Sequence, residues 1–245
     1  NLKPKHLYAP TKTKKKILIA HDLISPSKIL PWAEKLTKKY EVVYVGTKEH
    51  GEEFIKAGIK YKKLQDYATE TALAGIGIQS SIFRKDFLKI FGNPELKEAL
   101  IYKDINLSSA LEEMFLFLYY ISYPILVTYI ELFANMIAFE LPDLIVTVDD
   151  RSRFGRALIE VANRKGVKTL IVQHGMLLDH PLFDGSKCTK FAAYGKQTKK
   201  ILIKRKLRKH QIAIVGQAEN IPTESVQKIR RRMYTKLNLS RKKPI

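Results

Sequence analysis

The chain has 245 residues, 44 Lys and Arg against 24 Asp and Glu, a formal net charge of +20, and one cysteine, Cys188. That length holds one large α/β domain or two small ones, and 45% apolar content excludes wholesale disorder. A lone cysteine excludes an internal disulfide framework and a thiolate metal cluster, and it fits a reducing, cytoplasmic setting.

Residues 1–15 read as a polar leader without an apolar signal core. "KKILIAHDL" predicts a buried strand over Lys16 to His21. A helix follows in "SPSKILPWAEKLTKKY", with Ser27 as a candidate N-cap and Pro31 in its first turn. "EVVYVGT" is a second strand, "KEHGEEFIKAG" a short helix stopped by Gly58, and "IKYKKLQDY" a third, half-exposed strand. Strand and helix alternating at this spacing open a parallel sheet with crossover helices.

Residues 71–139 lack strand alternation and read as helical, with a fresh start at Asn93 and Pro94. Met114 to Ile130 is a run of 17 uncharged residues, near the lower limit for a membrane span. Pro124 interrupts it, four tyrosines punctuate it, and flanking Lys and Arg anchors are missing. A buried central helix is the favoured reading, a monotopic membrane-facing helix the second, and a transmembrane helix the last.

Alternation then resumes. "PDLIVTVDD" is a strand with an acidic end. "RSRFGRALIEVANRKG" is an amphipathic helix with Phe154, Ala157, Leu158 and Val161 on one face and Gly166 closing it. "VKTLIVQHG" and "TKFAAYG" are strands, Lys196 to Lys209 a basic helix, and "QIAIVGQ" the last strand. A final helix opens at Pro222 and Thr223. The fold class expected is therefore α/β: a Rossmann-like, doubly wound, mainly parallel sheet of about seven strands with a helical insertion. The domain would span 16–240, and "RKKPI" at 241–245 resembles the opening of a linker and second domain.

In such sheets ligands bind beyond the carboxyl ends of the strands, near the switch in strand order. Those ends gather His21 and Asp22, then Asp149, Asp150 and Arg151, then Gln173, His174 and Gly175, and lastly Gly216. Carboxylates and histidines on one rim suit general acid–base work, and a histidine with a pKa near ~6.5 takes a hydroxyl proton at neutral pH. Gly175 would allow close approach to the backbone. The structural alternative for His174 is capping of the next loop. Asp149 and Asp150 admit three readings: a metal pair, a hydroxyl-binding pair, or caps for the helix at Ser152. Metal is the weakest, because no third ligand lies close in sequence. Arg151, Arg153 and Arg156 suit a phosphate at a helix N-terminus, with local ion pairs favoured for Arg156.

Residues 186–245 carry 18 Lys and Arg against two acids, Glu219 and Glu224. The block suits an anionic partner such as lipid headgroups, a phosphorylated substrate, nucleic acid or an acidic neighbouring domain. Solvated helix faces in a lysine-rich chain explain it equally well. The sequence contains no GxxxxGK[ST], no GxGxxG after the first strand, no HExxH and no GxSxG, which argues against P-loop, dinucleotide, zincin and α/β-hydrolase chemistry.

"PDLIVTVDD", "GRALIEVANRKGVKTLIVQHG", "AAYGKQTKKIL" and "QIAIVGQ" together resemble the N-terminal half of a GT-B glycosyltransferase. The branch they look like holds surface-polysaccharide transferases and CDP-glycerol glycerophosphotransferases. Two departures stand out. "QHGMLLD" replaces the glycerophosphotransferase "WHG" and "TPLK", and the last strand ends "VGQAENIP" rather than in Gly-x-Pro. The resemblance implies an acceptor-binding domain whose base is His174, with Asp22 or Asp150 orienting the acceptor. A nucleotide-sugar would be the donor substrate, with no further cofactor, held by a C-terminal domain. A glycan or lipid-linked acceptor and an anionic membrane surface would be its partners, and the site peripheral on the cytoplasmic side. UDP-sugar 2-epimerases share this architecture and give the second reading. A basic membrane- or nucleic-acid-binding module is the third, disfavoured by the lack of a helix-turn-helix or an aromatic-interleaved basic strand.

Overall fold

A computed structural model describes residues 14–21, 29–46, 51–175, 177, 186–216 and 235–236. Asp22, Ser27, His180, the start of the last predicted helix at Pro222, and the 241–245 linker lie outside the described residues.

Strand β1 (Lys16–His21) leads to helix α1 (Leu30–Thr37), β2 (Glu41–Gly46), α2 (Gly51–Lys56) and β3 (Lys60–Lys63). The predicted third strand is shorter than its apolar spacing suggested, because Leu64–Tyr67 turns into a 3-10 helix. The helical section holds α3 (Glu70–Phe91), α4 (Pro94–Ala99), a hairpin of β4 (Ile101–Tyr102) and β5 (Ile105–Asn106), α5 (Ser108–Phe117) and α6 (Tyr123–Glu140). Then follow β6 (Leu144–Thr147), α7 (Arg153–Arg164), β7 (Lys168–Val172), β8 (Lys190–Ala193), α8 (Lys196–Lys204) and β9 (Ile212–Ile214).

Seven strands form one parallel sheet in the order β3-β2-β1-β6-β7-β8-β9. The fold is α/β and Rossmann-like, and the order reverses between β1 and β6. Strand alternation sends Leu18 and Ala20 to one face, against α6 and α7, and Ile17 and Ile19 to the other, against α1 and α2. On that second face Phe54 is fully buried and stacks on Tyr44 at 3.7 Å. Burying one such side chain stabilises the fold by ~1.5–3 kcal/mol. The amphipathic reading of α7 holds: Phe154, Ala157, Leu158 and Val161 are all buried.

The helical section departs from expectation twice. The hairpin at 101–106 turns on Lys103 and Asp104, both with positive φ, a two-residue turn made without the usual Asn-Gly signal. The apolar helix is buried only near its end. Leu132, Phe133, Met136, Ile137 and Glu140 are buried, whereas no residue from 108 to 131 is. The expectation of a buried central helix is corrected to that extent. The physical reason is that only the last turns of α6 reach the sheet and α7, where Phe133 meets Phe154 edge-on at 4.8 Å. Upstream, the helix packs on α3 through aromatic pairs such as Phe87–Tyr120 and Phe83–Tyr123. Pro124 does not stop the helix. A π-helical turn at Leu118–Ser122 precedes it and absorbs the missing N–H. By length and composition the helical run 108–140 could cross a membrane.

Glu140 anchors this section. Its carboxylate is 4% exposed and accepts from Lys16 Nζ (3.2 Å), Lys62 Nζ (2.5 Å) and Tyr67 Oη (2.8 Å). Burial works to raise its pKa, but these three hydrogen bonds outweigh it and hold the carboxyl below the usual glutamate value. Burial first, and Glu140 second, push the Tyr67 phenol upward. Glu140→Gln should cost roughly 2–4 kcal/mol in urea unfolding at pH 7, because Lys16 and Lys62 lose their shared counter-charge. A depressed folded pKa makes this contribution present above the unfolded value and lost on acidification. The gap between variant and wild type should therefore shrink below about pH 4.

Candidate active site

The predicted residues follow the carboxyl ends of β1, β6, β7 and β9. His174 follows β7 and lies half-buried beside the β6 loop. Its Nδ1 is 2.6 Å from the Val148 carbonyl oxygen. A carbonyl only accepts, so Nδ1 carries the proton and donates it, leaving the Nε2 lone pair as the ring's proton acceptor. Among the described residues Nε2 has no hydrogen-bond partner. The contact joins residues 26 apart in sequence and exists because β6 and β7 are paired in parallel, Thr147 opposite Ile171. It orients the imidazole as a general base requires.

Gln173 shapes the turn rather than the opening. It is buried, its Nε2 donates to Gly175 O (2.8 Å), and its Oε1 accepts from the Tyr194 N–H (2.7 Å). Among the described residues nothing lies within 4 Å of a Cβ placed at Gly175, so none of them blocks approach to the backbone beside His174. The hollow at His174 is small, about 20 Å³, and is shared by Asp149, Asp150 and Arg151.

The two adjacent carboxylates have separate environments. Asp149 accepts the backbone N–H groups of Arg151 and Ser152 (both 2.9 Å) and pairs with Arg151 Nε at 3.5 Å. Burial opposes its ionisation, yet those N–H donors hold the carboxyl below the usual aspartate value. The capping reading therefore suits Asp149, while Ser152 itself caps α7 by accepting from Gly155 N at 3.0 Å. Asp150 is the reverse. Burial, with the Asp149 charge adding to it, raises its carboxyl pKa against opposing contacts from Ser186 and Arg151. Gly155 holds this loop close to α7: a Cβ there would lie 2.0 Å from the Asp149 carbonyl oxygen. No group of three or more His, Cys, Asp or Glu able to hold a metal occurs among the described residues.

The remaining candidates separate. His21 is 3% exposed, and its Nε2 meets the Tyr44 hydroxyl at 3.0 Å, so it faces the core rather than the rim opening. Tyr44 was invisible as a partner in the sequence, since only the β1–β2 register brings it there. Arg153 donates to Ser122 Oγ at 3.1 Å on the surface. Gly216 follows β9 by two residues with φ +78°, beside the edge strand of the sheet. Arg156 was assigned to local ion pairs. Among the described residues it makes none, and it lines a cavity of about 390 Å³ between α6, α7 and residues 186–187. That cavity shares Asp150 and Arg151 with the hollow at His174. Cys188 is buried in the cluster with Ile171 and Phe191, and its thiol is pushed up to about 11, chiefly by burial.

No protein-family model matches the chain, and no curated protein matches it. Several solved structures are similar in fold. The apo form of the lipopolysaccharide outer core galactosyltransferase WaaB shares 12% identity over 82% of this chain and 45% of its own, with a TM-score of 0.44. A UDP-N-acetylglucosamine 2-epimerase from Rickettsia bellii shares 13% over 93% of this chain and 52% of its own, also at 0.44. The calicheamicin glycosyltransferase CalG4 shares 15% over 93% and 44%, at 0.38. The chain thus spans about half the length of each.

Asp150 yields a direct test. Its raised folded pKa means that its favourable, protonated state is fully present below the unfolded pKa and lost as pH rises through the folded one. Asp150→Asn should have a higher Tm than wild type at pH 7, and the difference should close below about pH 4. A lower Tm at pH 7 would mean the ionised carboxylate is itself structural.

Proposed function

We propose that this chain is the acceptor-binding half of a glycosyltransferase that moves a sugar from a nucleotide-sugar in surface polysaccharide or glycolipid synthesis. The observation that carries the reading is the tautomer of His174, with Nδ1 committed to the Val148 carbonyl and Nε2 left as acceptor at the rim of the sheet. In the reaction the acceptor hydroxyl gives its proton to His174 Nε2. Its oxygen forms a bond to the anomeric carbon of the donor sugar. The bond from that carbon to the leaving phosphate oxygen breaks, and the nucleoside diphosphate departs with the bonding pair. Asp150, poised to hold a proton longer than an ordinary aspartate, orients the acceptor through a hydrogen bond. The donor nucleotide belongs to a second domain beyond this one.

The same reading places the domain at the cytoplasmic face of a membrane as a peripheral protein. Support comes from the apolar helical run with no buried residue between 108 and 131, exposing Phe117, Ile121 and Ile130, and from the basic C-terminal third.

His174→Ala in the full protein should lower transfer turnover ~10²–10⁴-fold with folding unchanged. Near-normal turnover would remove His174 from the role of base. Interconversion of a nucleotide-sugar without any acceptor would identify an epimerase instead. In co-sedimentation, vesicles containing phosphatidylglycerol should retain the protein in a salt-sensitive way, and Phe117→Ser with Ile121→Ser should weaken retention. Equal behaviour with uncharged vesicles would contradict the membrane assignment.

A further inference from the structure

We propose that the cavity between α6 and α7 binds a phosphorylated lipid, the phosphate on Arg156 and the chain against α6. The inference rests on the transferase reading and names the acceptor class for it. The cavity volume of about 390 Å³ falls in the range of sites that enclose a small organic ligand.

Its lining is divided by chemistry. Arg151, Arg156, Arg164 and Lys187 supply four cations, and Asp150 and Glu160 are the acids. Glu160 is held by two of the cations at once, Lys187 at 3.0 Å and Arg164 at 3.3 Å. Arg151 is paired with Asp149. Arg156 has no ion pair among the described residues and is exposed at the opening. Among the described residues, one carboxylate between two cations, plus a guanidinium outside any ion pair, leaves positive charge in excess, and a planar guanidinium suits a phosphate's paired oxygens. Even with Asp150 and the neighbouring Asp149 counted as ionised, the four cations outnumber the three carboxylates.

The opposite side is apolar. Leu126 and Ile130 of α6 face Ala157 and Val161 of α7, and Ile130 is 39% exposed. A soluble sugar phosphate would leave this surface wet. A plain hydrocarbon would leave the cations unused. An amphiphile with a phosphate head satisfies both. The cavity also shares Asp150 with the hollow at His174, so a sugar or hydroxyl carried by the phosphate lies toward the base.

Isothermal titration of the full chain with dodecyl phosphate, below its micelle concentration and without donor, tests this. Inorganic phosphate and uncharged dodecyl maltoside serve as the comparison ligands. Dodecyl phosphate should bind at least tenfold more tightly than either. Arg156→Gln and Ile130→Ser should each weaken it about five- to tenfold, and Lys168→Gln, at the opposite rim, should not change it. Both Arg156 and Ile130 are exposed, so their loss leaves the core intact. Equal binding of inorganic phosphate would reduce the site to an anion site. Equal binding of the maltoside would reduce it to an apolar groove. Either result, or unaltered affinity in Arg156→Gln, overturns the proposal. Because no donor is present, failure here is separate from failure of His174 as base. Binding that survives with an active His174→Ala enzyme would keep the lipid site and discard the base.

Discussion

The structure turns on a buried carboxylate. Glu140 ends the longest apolar helix, yet it meets Lys16 at the start of β1, Lys62 of β3 and the hydroxyl of Tyr67. An ionised group at 4% exposure is tolerable only with such partners, and each comes from a different segment. The consequence is geometric. These contacts hold the end of α6 against α7 and the sheet, with the rest of the helical section projecting past it. That placement buries Phe133 and Met136, leaves Phe117 and Ile121 in solvent, and creates the space between α6 and α7. Buried charge here costs desolvation and returns specificity of docking.

At the opposite end of the sheet a second constraint sets the geometry around His174. The parallel pairing of β6 with β7 brings the Val148 carbonyl under His174. Gly155 lets α7 press on the Asp149 backbone, where a side chain would collide. The loop so held commits Asp149 to backbone N–H groups, while burial raises the Asp150 carboxyl above the usual aspartate value. Two neighbouring residues of one type thus sit in different environments, one held by backbone N–H groups and one raised by burial. The separation comes from which N–H groups the loop presents, not from the residues themselves.

Both ligand hypotheses share this loop. The hollow at His174 is too small for a sugar by itself, while the adjoining cavity is large, cationic and half apolar. An acceptor held by its phosphate and chain on one side of Asp150 would present its hydroxyl on the other. In this arrangement binding energy far from the reacting oxygen positions it, which is the usual way that a weakly enclosed site achieves orientation.

Much of this was legible in the amino-acid order. Apolar runs of strand length, alternating with helical periods and closed by Gly58 and Gly166, determined the seven-stranded parallel sheet and the buried face of α7, because periodicity and turn chemistry are local. They also located His174 at a strand end. Other features were decided only by the tertiary structure. The tautomer of His174 depends on a carbonyl 26 residues away, the burial of His21 on Tyr44 across a strand register, and the cavity beside Arg156 on where α6 comes to rest. The apolar run at 114–130 misled for the same reason. Hydropathy records what a helix could bury, while burial depends on whether another element reaches it, and Glu140 holds only the last turns within reach of the sheet.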